Sequence, residues 1–131
     1  MQRILGRFSE ICYALFRIVA GLLFACHGAQ KLLGVLGGQK VELVSKMGLA
    51  GVIELVGGVL ILIGLFASWA AFLASGEMAV AYFTVHAPQG FWPIQNGGEL
   101  AALYAFAFLF VAAKGAGKLS VAAMVKKPNL G

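Results

Sequence analysis

Residues 48–66 read GLAGVIELVGGVLILIGLF, and this stretch decides the class of fold. Glu54 is its single charged residue. A helix of about 20 apolar residues crosses the ~30 Å hydrocarbon core of a bilayer. The Val, Ile, Leu and Phe residues of the stretch return about 3–7 kcal/mol on insertion, whereas a mid-span charge costs roughly 2.5–3.5 kcal/mol. Residues 48–66 therefore predict a membrane-spanning helix that carries a carboxyl group.

The rest of the chain has a similar composition. Of its 131 residues, 61% are hydrophobic and 11% are charged, whereas an average soluble domain has about 25% charged residues. A soluble protein of this size cannot hide so much apolar surface, and a disordered chain is far more polar. The composition therefore predicts an all-α integral membrane protein. The net charge of +5 comes mostly from residues near the two ends, which indicates membrane orientation rather than a nucleic-acid partner.

The apolar sequence continues beyond residue 66 to Val85 with almost no break. A run of about 40 residues is too long for one crossing, so we place a boundary at Ala67-Ser68-Trp69, where Trp69 suits the membrane interface. Two prolines and a glycine in the segment Pro88–Asn96 predict a loop. The sequence thus predicts a single domain, residues 1–131, folded as a four-helix membrane bundle with spans over residues 11–36, 48–66, 69–87 and 97–113.

The basic residues predict the orientation of this bundle. Those near the spans at the two ends of the chain are Arg3, Arg7, Lys114, Lys118, Lys126 and Lys127. The first loop carries Lys40 and Lys46, and the third loop carries no basic residue. Because an even number of spans puts both ends on one side, the positive-inside rule places the N- and C-termini in the cytoplasm. Arg17 interrupts the first apolar stretch, so we expect a retained span there rather than a cleaved signal peptide.

Ionisable residues within spans are costly to insert and are therefore candidates for function. The candidates for ligand binding or proton handling are His27, Gln30, Lys31, Glu54, Glu77 and Glu99. With the predicted orientation, they fall in the outer half of the bundle, with Glu77 near its middle. Small residues at helical spacing accompany Glu54 and Glu77, which puts both carboxyl groups on packing faces rather than lipid faces. The sequence thus predicts one polar cluster to which all four helices contribute.

A structural role is the alternative for these residues. Paired polar side chains hold membrane helices together, and Glu99 suits the positive end of the dipole of the fourth helix. We expect Arg17 to be structural. The spacing of His and Glu matches no metal motif, so no metal site is predicted, and no side chain is assigned as catalytic. Cys12 and Cys26 lie about 21 Å apart along one helix, which is too far for a disulfide.

One short motif occurs twice. Residues 76–82 and residues 98–104 both read Gly-Glu, an apolar residue, Ala, two further residues and Tyr. The two predicted helices run antiparallel, so the two glutamates differ in depth. The repetition suits small-residue packing and carries no functional assignment by itself.

Several segments together resemble the DoxX family of small bacterial membrane proteins. They are Arg17 with Gly21–Phe24, HGAQKL at 27–32, GVIELVGG at 51–58, Glu77-Met78 with Ala81-Tyr82, His86 with Gly90-Phe91-Trp92, and NGGE at 96–99. The resemblance covers nearly the whole chain. It implies a four-helix bundle in the bacterial inner (plasma) membrane. Two further residues are possible members of the site: His86, an ionisable residue near the end of the third span, and Trp92 in the loop that follows.

The resemblance also implies a class of function. The family takes its name from a subunit linked to quinone-dependent thiosulfate oxidation, and its members are commonly labelled oxidoreductases. The first hypothesis is a membrane subunit of an oxidoreductase system, which binds a quinone-like or other small redox partner or anchors a soluble enzyme. A small-solute or proton carrier and a non-catalytic scaffold or assembly factor are the alternatives. The expected partners are the lipid bilayer, membrane or soluble oxidoreductase subunits, and further copies of the chain in a homo-oligomer.

Overall fold

Four long helices make up most of the protein. The computed structural model describes residues 1–131, apart from the side chain of Pro128. The long helices are α1 (Ser9–Leu33), α2 (Lys46–Ile63), α3 (Ala67–Ala81) and α4 (Glu99–Lys114). A π-helical turn, Tyr82–His86, continues α3, and the shorter helical segments are Gln2–Leu5, Gly6–Phe8, Ala87–Gln89, Pro93–Asn96, Val121–Met124 and Pro128–Leu130. The described residues form no β-strand, and the predicted all-α class is confirmed.

Helices α1 and α2 touch backbone to backbone because glycines line their interface. A Cβ atom at Gly21 would lie 2.6 Å from the nitrogen of Leu62 and 2.8 Å from the carbonyl oxygen of Gly58. A Cβ atom at Gly28 would lie even closer to the backbone of Leu55 and Gly51. Close approach of this kind is how membrane helices gain van der Waals contact without a hydrophobic driving force.

Aromatic side chains, by contrast, fill the space between α1 and α4. Phe24 of α1 packs against Tyr104 and Phe108 of α4, with ring centroids 5.4 and 4.7 Å apart. Tyr104 and Phe108 stack on each other at 5.2 Å. These large rings hold the two helix backbones further apart than the glycines hold α1 and α2, which leaves a groove along the surface between α1 and α4.

The break between α2 and α3 lies at residues 64–66, slightly before the predicted boundary at Ala67-Ser68-Trp69. Helix α2 ends at Ile63 and is followed by Gly64, whose φ of 71° is left-handed, and Phe66 precedes α3 with a φ of 50°. A left-handed residue ends a helix by directing the chain out of it, and glycine adopts that conformation without steric cost. Gly64 was therefore a better boundary signal than Trp69, which lies in the first turn of α3.

The segment that follows α4 folds back onto the end of the bundle where the chain begins. The guanidinium of Arg17 donates hydrogen bonds to five main-chain carbonyl groups, which belong to Ile61, Leu62, Ala116, Lys118 and Leu119. Lys114 at the end of α4 forms an ion pair with Glu10 at 3.0 Å. The loops 34–45 and 87–98 lie at the other end of the bundle.

The long helices expose many apolar side chains on the surface of the bundle. Two helical runs are long and apolar enough to cross a membrane, Gln2–Leu33 and α2. Exposed large apolar side chains also lie on α3 and α4, with Phe72 and Phe106 among them. Water would oppose this much exposed apolar surface, whereas a bilayer accommodates it.

Candidate functional site

A cavity of about 350 Å³ opens between the four helices, at the end of the bundle away from the chain termini. Five of the predicted residues line it, namely His27, Lys31, Glu54, Glu77 and His86. The remaining lining is mostly apolar. The helices therefore bring side chains from positions far apart in the sequence together in one polar cluster.

Glu54 and Lys31 form the ion pair at the base of this cluster. The Lys31 Nζ atom lies 2.6 Å from Oε1 of Glu54, and the Glu54 side chain is only 2% exposed. The close approach of α1 and α2 at Gly28 and Gly51 brings these two side chains within reach. The second carboxyl oxygen of Glu54 is buried and has no hydrogen-bond partner.

Glu77 adds a second carboxyl group from α3. It lines the same cavity as the Glu54 carboxyl group and lies close to it, and its Oε2 atom is buried without a partner. Two ionised carboxylates only accept hydrogen bonds, so a contact between them becomes a hydrogen bond only when one carries a proton. The cluster thus presents two carboxyl groups to one ammonium group and retains unused hydrogen-bonding capacity.

His86 reaches the cavity from the π-helical turn that follows α3. Its Nδ1 atom lies 3.2 Å from the carbonyl oxygen of Asn96. Asn96 in turn organises the loop, because its Nδ2 donates to the carbonyl of Gly90 and its Oδ1 accepts from the amide of Gly98. π-Helical turns occur frequently at functional sites, and this one directs the His86 side chain into the cavity.

Three predicted residues lie outside the cavity. Gln30 donates a hydrogen bond to the carbonyl of Leu36, 2.8 Å away, and so ties down the loop after α1. Glu99 is exposed in the first turn of α4. Trp92 is exposed and packs edge-on against Phe91.

Tyr104 lines the cavity and was not among the predicted site residues. It is 6% exposed, and its hydroxyl group has no hydrogen-bond partner. His27 stands edge-on to the Tyr104 ring, with centroids 6.2 Å apart. The repeated Gly-Glu motif already set Tyr104 apart in the sequence, but there it gave no reason to prefer this tyrosine over Tyr82.

The cavity offers a specific chemistry. Lys31, His27 and Tyr104 provide hydrogen-bond donors, while Glu54 and Glu77 provide acceptors that can take up protons. Among the described residues, no group of three His, Cys, Asp or Glu side chains is arranged to hold a metal ion. The arrangement suits a small, partly apolar molecule with oxygen atoms that exchange hydrogen bonds and protons.

Comparison with known proteins places these features in a family. A family model described as DoxX matches residues 12–87. An uncharacterized protein of Haemophilus influenzae is 43% identical over 120 residues, which cover 86% of this chain and 90% of that protein. A second uncharacterized protein of the same organism is 31% identical over 74 residues, covering 56% of this chain and 49% of that protein. No solved structure matches the chain significantly.

Proposed function

The chain belongs to the DoxX family, and from this membership and the cavity we propose that it is a membrane subunit of an oxidoreductase system that binds a quinone-like redox partner. The observation that carries the proposal is the set of buried, unpartnered oxygen atoms on Glu54, Glu77 and Tyr104, all of which lie at one cavity. Unsatisfied buried polar groups are costly. A bound molecule that pairs with them removes that cost.

The chemistry of each polar side chain determines its role in the proposal. In this proposal Lys31, His27 and Tyr104 donate hydrogen bonds to the oxygen atoms of the ring. Reduction of a quinone takes up two electrons and two protons, and a partner oxidoreductase subunit supplies the electrons. Glu77 and Glu54 hold and deliver the protons, because carboxyl groups placed within hydrogen-bonding range of a substrate are suited to general acid–base work.

The proposal includes a four-span topology with both termini in the cytoplasm of a bacterial cell. All four long helices carry exposed apolar side chains, such as Leu22, Val56, Leu73 and Leu103. Most of the basic residues lie at the end of the bundle that carries the chain termini. The positive-inside rule then places the cavity toward the outer face of the plasma membrane.

To test the proposal, the affinity of the purified protein for a quinone is measured in nanodiscs. The wild-type protein is compared with the Glu54→Gln and Glu77→Gln variants. Each substitution keeps the size of the side chain but removes the carboxylate. We expect each to weaken binding about tenfold or more, since a hydrogen bond to a charged group contributes roughly 1.5–3 kcal/mol. Glu99→Gln is the matched control, because Glu99 occupies the same position in the repeated motif as Glu77 but lies outside the cavity.

Unchanged quinone binding would contradict the proposal. Unchanged quinone affinity in both cavity variants, with the protein still folded, removes Glu54 and Glu77 from the proposed site. Unchanged affinity together with stable co-purification of a partner enzyme supports the scaffold alternative. The carrier alternative has weaker support, because Phe24, Ile61 and Phe108 fill the bundle below the cavity and are at most 1% exposed.

A further inference from the structure

A second, apolar groove runs along the surface between α1 and α4 and has a volume of about 540 Å³. Its walls are Leu15, Val19 and Leu23 from α1 and Leu103 and Ala107 from α4, among others. The wide spacing of α1 and α4 creates this groove, because the rings of Phe24, Tyr104 and Phe108 separate the two helices.

The groove and the polar cavity are neighbours on α4. Leu100 and Tyr104 line both of them. The side chain that lines both spaces thus includes a polar atom, because the Tyr104 hydroxyl is buried and has no hydrogen-bond partner. From Leu23 to Cys12 the groove follows α1 for about 16 Å, at 1.5 Å of rise per residue.

We infer that the ligand of the cavity carries a long isoprenoid tail, and that this tail leaves the cavity past Tyr104 and Leu100 to lie in the groove between α1 and α4. This inference rests on the proposed function, since the polar ring occupies the cavity. The Tyr104 hydroxyl donates a hydrogen bond to the ring at the point where the tail begins. The shared lining of the two spaces by Leu100 and Tyr104 favours this occupant, because one molecule with a polar ring and an apolar tail fills both, whereas the acyl chain of a bilayer lipid fills only the groove.

The experiment compares two probes, a benzoquinone without a tail and the same ring with a two-unit prenyl tail. Detergent and lipid also take up the tail, so the measured quantity is the ratio of the two affinities in wild-type protein and in groove variants. A buried methylene group contributes about fourfold to affinity. We expect Ala107→Phe, which fills the groove, to reduce the preference for the tailed probe about tenfold and to leave the affinity for the tail-less probe unchanged.

Ala102→Phe is the matched control, because Ala102 is similarly half-buried on α4 but lines neither the groove nor the cavity.

Tyr104→Phe removes only the hydroxyl, so we expect it to lower the affinity for both probes by the same factor, about fivefold. An unchanged preference for the tail in Ala107→Phe overturns the inference while leaving the proposed function intact. Failure of both probes to bind the wild-type protein defeats the proposed function and this inference with it.

A photoreactive group at the end of the tail tests the inference without any substitution. We expect the label on α1 between Cys12 and Val19, with competition by the unlabelled tailed probe. Equal labelling of the lipid-facing side of α2, at Val52–Val59, would mean that the tail lies only in the surrounding lipid and would overturn the inference.

Discussion

Arg17 is completely buried and carries a charge without a carboxylate partner. All of its side-chain hydrogen bonds are to main-chain carbonyl groups at the end of α2 and in the segment after α4. Carbonyl groups at a helix C-terminus have no partner within the helix and carry partial negative charge, so a guanidinium suits them well. Its five N–H donors allow one side chain to hold two separate segments.

Replacement of Arg17 by Met should therefore be costly. The change removes five hydrogen bonds to main-chain carbonyl groups that are buried or partly buried, and a buried polar group left without a partner costs about 1–3 kcal/mol. We expect the free energy of unfolding to fall by at least about 3 kcal/mol, measured by thermal or denaturant unfolding in detergent. Arg7→Met is the control, since Arg7 is exposed and contacts only the ring of Phe8. Equal stability of the two variants would show that the Arg17 contacts do not hold the bundle together.

At the same scale, the sequence predicts the acidic residues of the cavity better than it predicts Tyr104. Glu54 and Glu77 are conspicuous because a charge within an apolar span has few explanations other than pairing or function. A tyrosine near the membrane interface is common, so the position of Tyr104 becomes informative only when its neighbours are known. For Gln30 the prediction fails in the other direction. The sequence places it in the polar cluster with His27 and Lys31, whereas its side chain binds the carbonyl of Leu36 in the loop after α1.

At the scale of elements, the contact between α1 and α2 depends on which glycine faces the neighbouring helix. Gly57 and Gly58 are adjacent, but a Cβ atom at Gly58 would collide with the backbone of Ala25 and Gly21, whereas one at Gly57 would meet only a carbonyl oxygen of Ala70 at 4.0 Å. Substitutions at these two positions therefore distinguish the effect of helix packing on stability from the effect of the conformational freedom of glycine.

We expect Gly58→Ala to destabilise the protein by about 1–3 kcal/mol, the usual cost of overpacking a filled interface. Gly57→Ala should be neutral or stabilising by up to about 1 kcal/mol, because alanine favours the helix. Unfolding of both variants in detergent provides the measurement. A similar loss of stability in both would mean that helix packing at this interface does not require the close approach.

The helices themselves were largely predictable, and their ends were less so. Each long helix overlaps one predicted span, because an apolar run of sufficient length has few other solutions in a membrane. The sequence predicts the break between α2 and α3 about three residues too late because Trp69 suits the membrane interface, whereas the left-handed conformations of Gly64 and Phe66 determine the turn. Such conformations depend on local backbone geometry that an apolar run does not specify.

At the scale of the whole molecule, the two ends of the bundle have different chemistry. One end carries Arg17, the Glu10–Lys114 ion pair and the chain termini, and its polar groups are largely paired. The other end carries the cavity, with unpartnered oxygen atoms on Glu54, Glu77 and Tyr104. We propose that a ligand pairs these oxygen atoms at the second end of the bundle, and the contrast between the two ends supports that proposal.

An experimental density map of the protein purified from its membrane with quinone present tests this explanation most directly. We predict density for a flat ring in the cavity, within hydrogen-bonding distance of Glu77 and Tyr104, that continues as an extended chain between α1 and α4. A cavity without such density, in which Glu54, Glu77 and Tyr104 pair only with other side chains of the protein, would contradict it and leave the cluster a structural one.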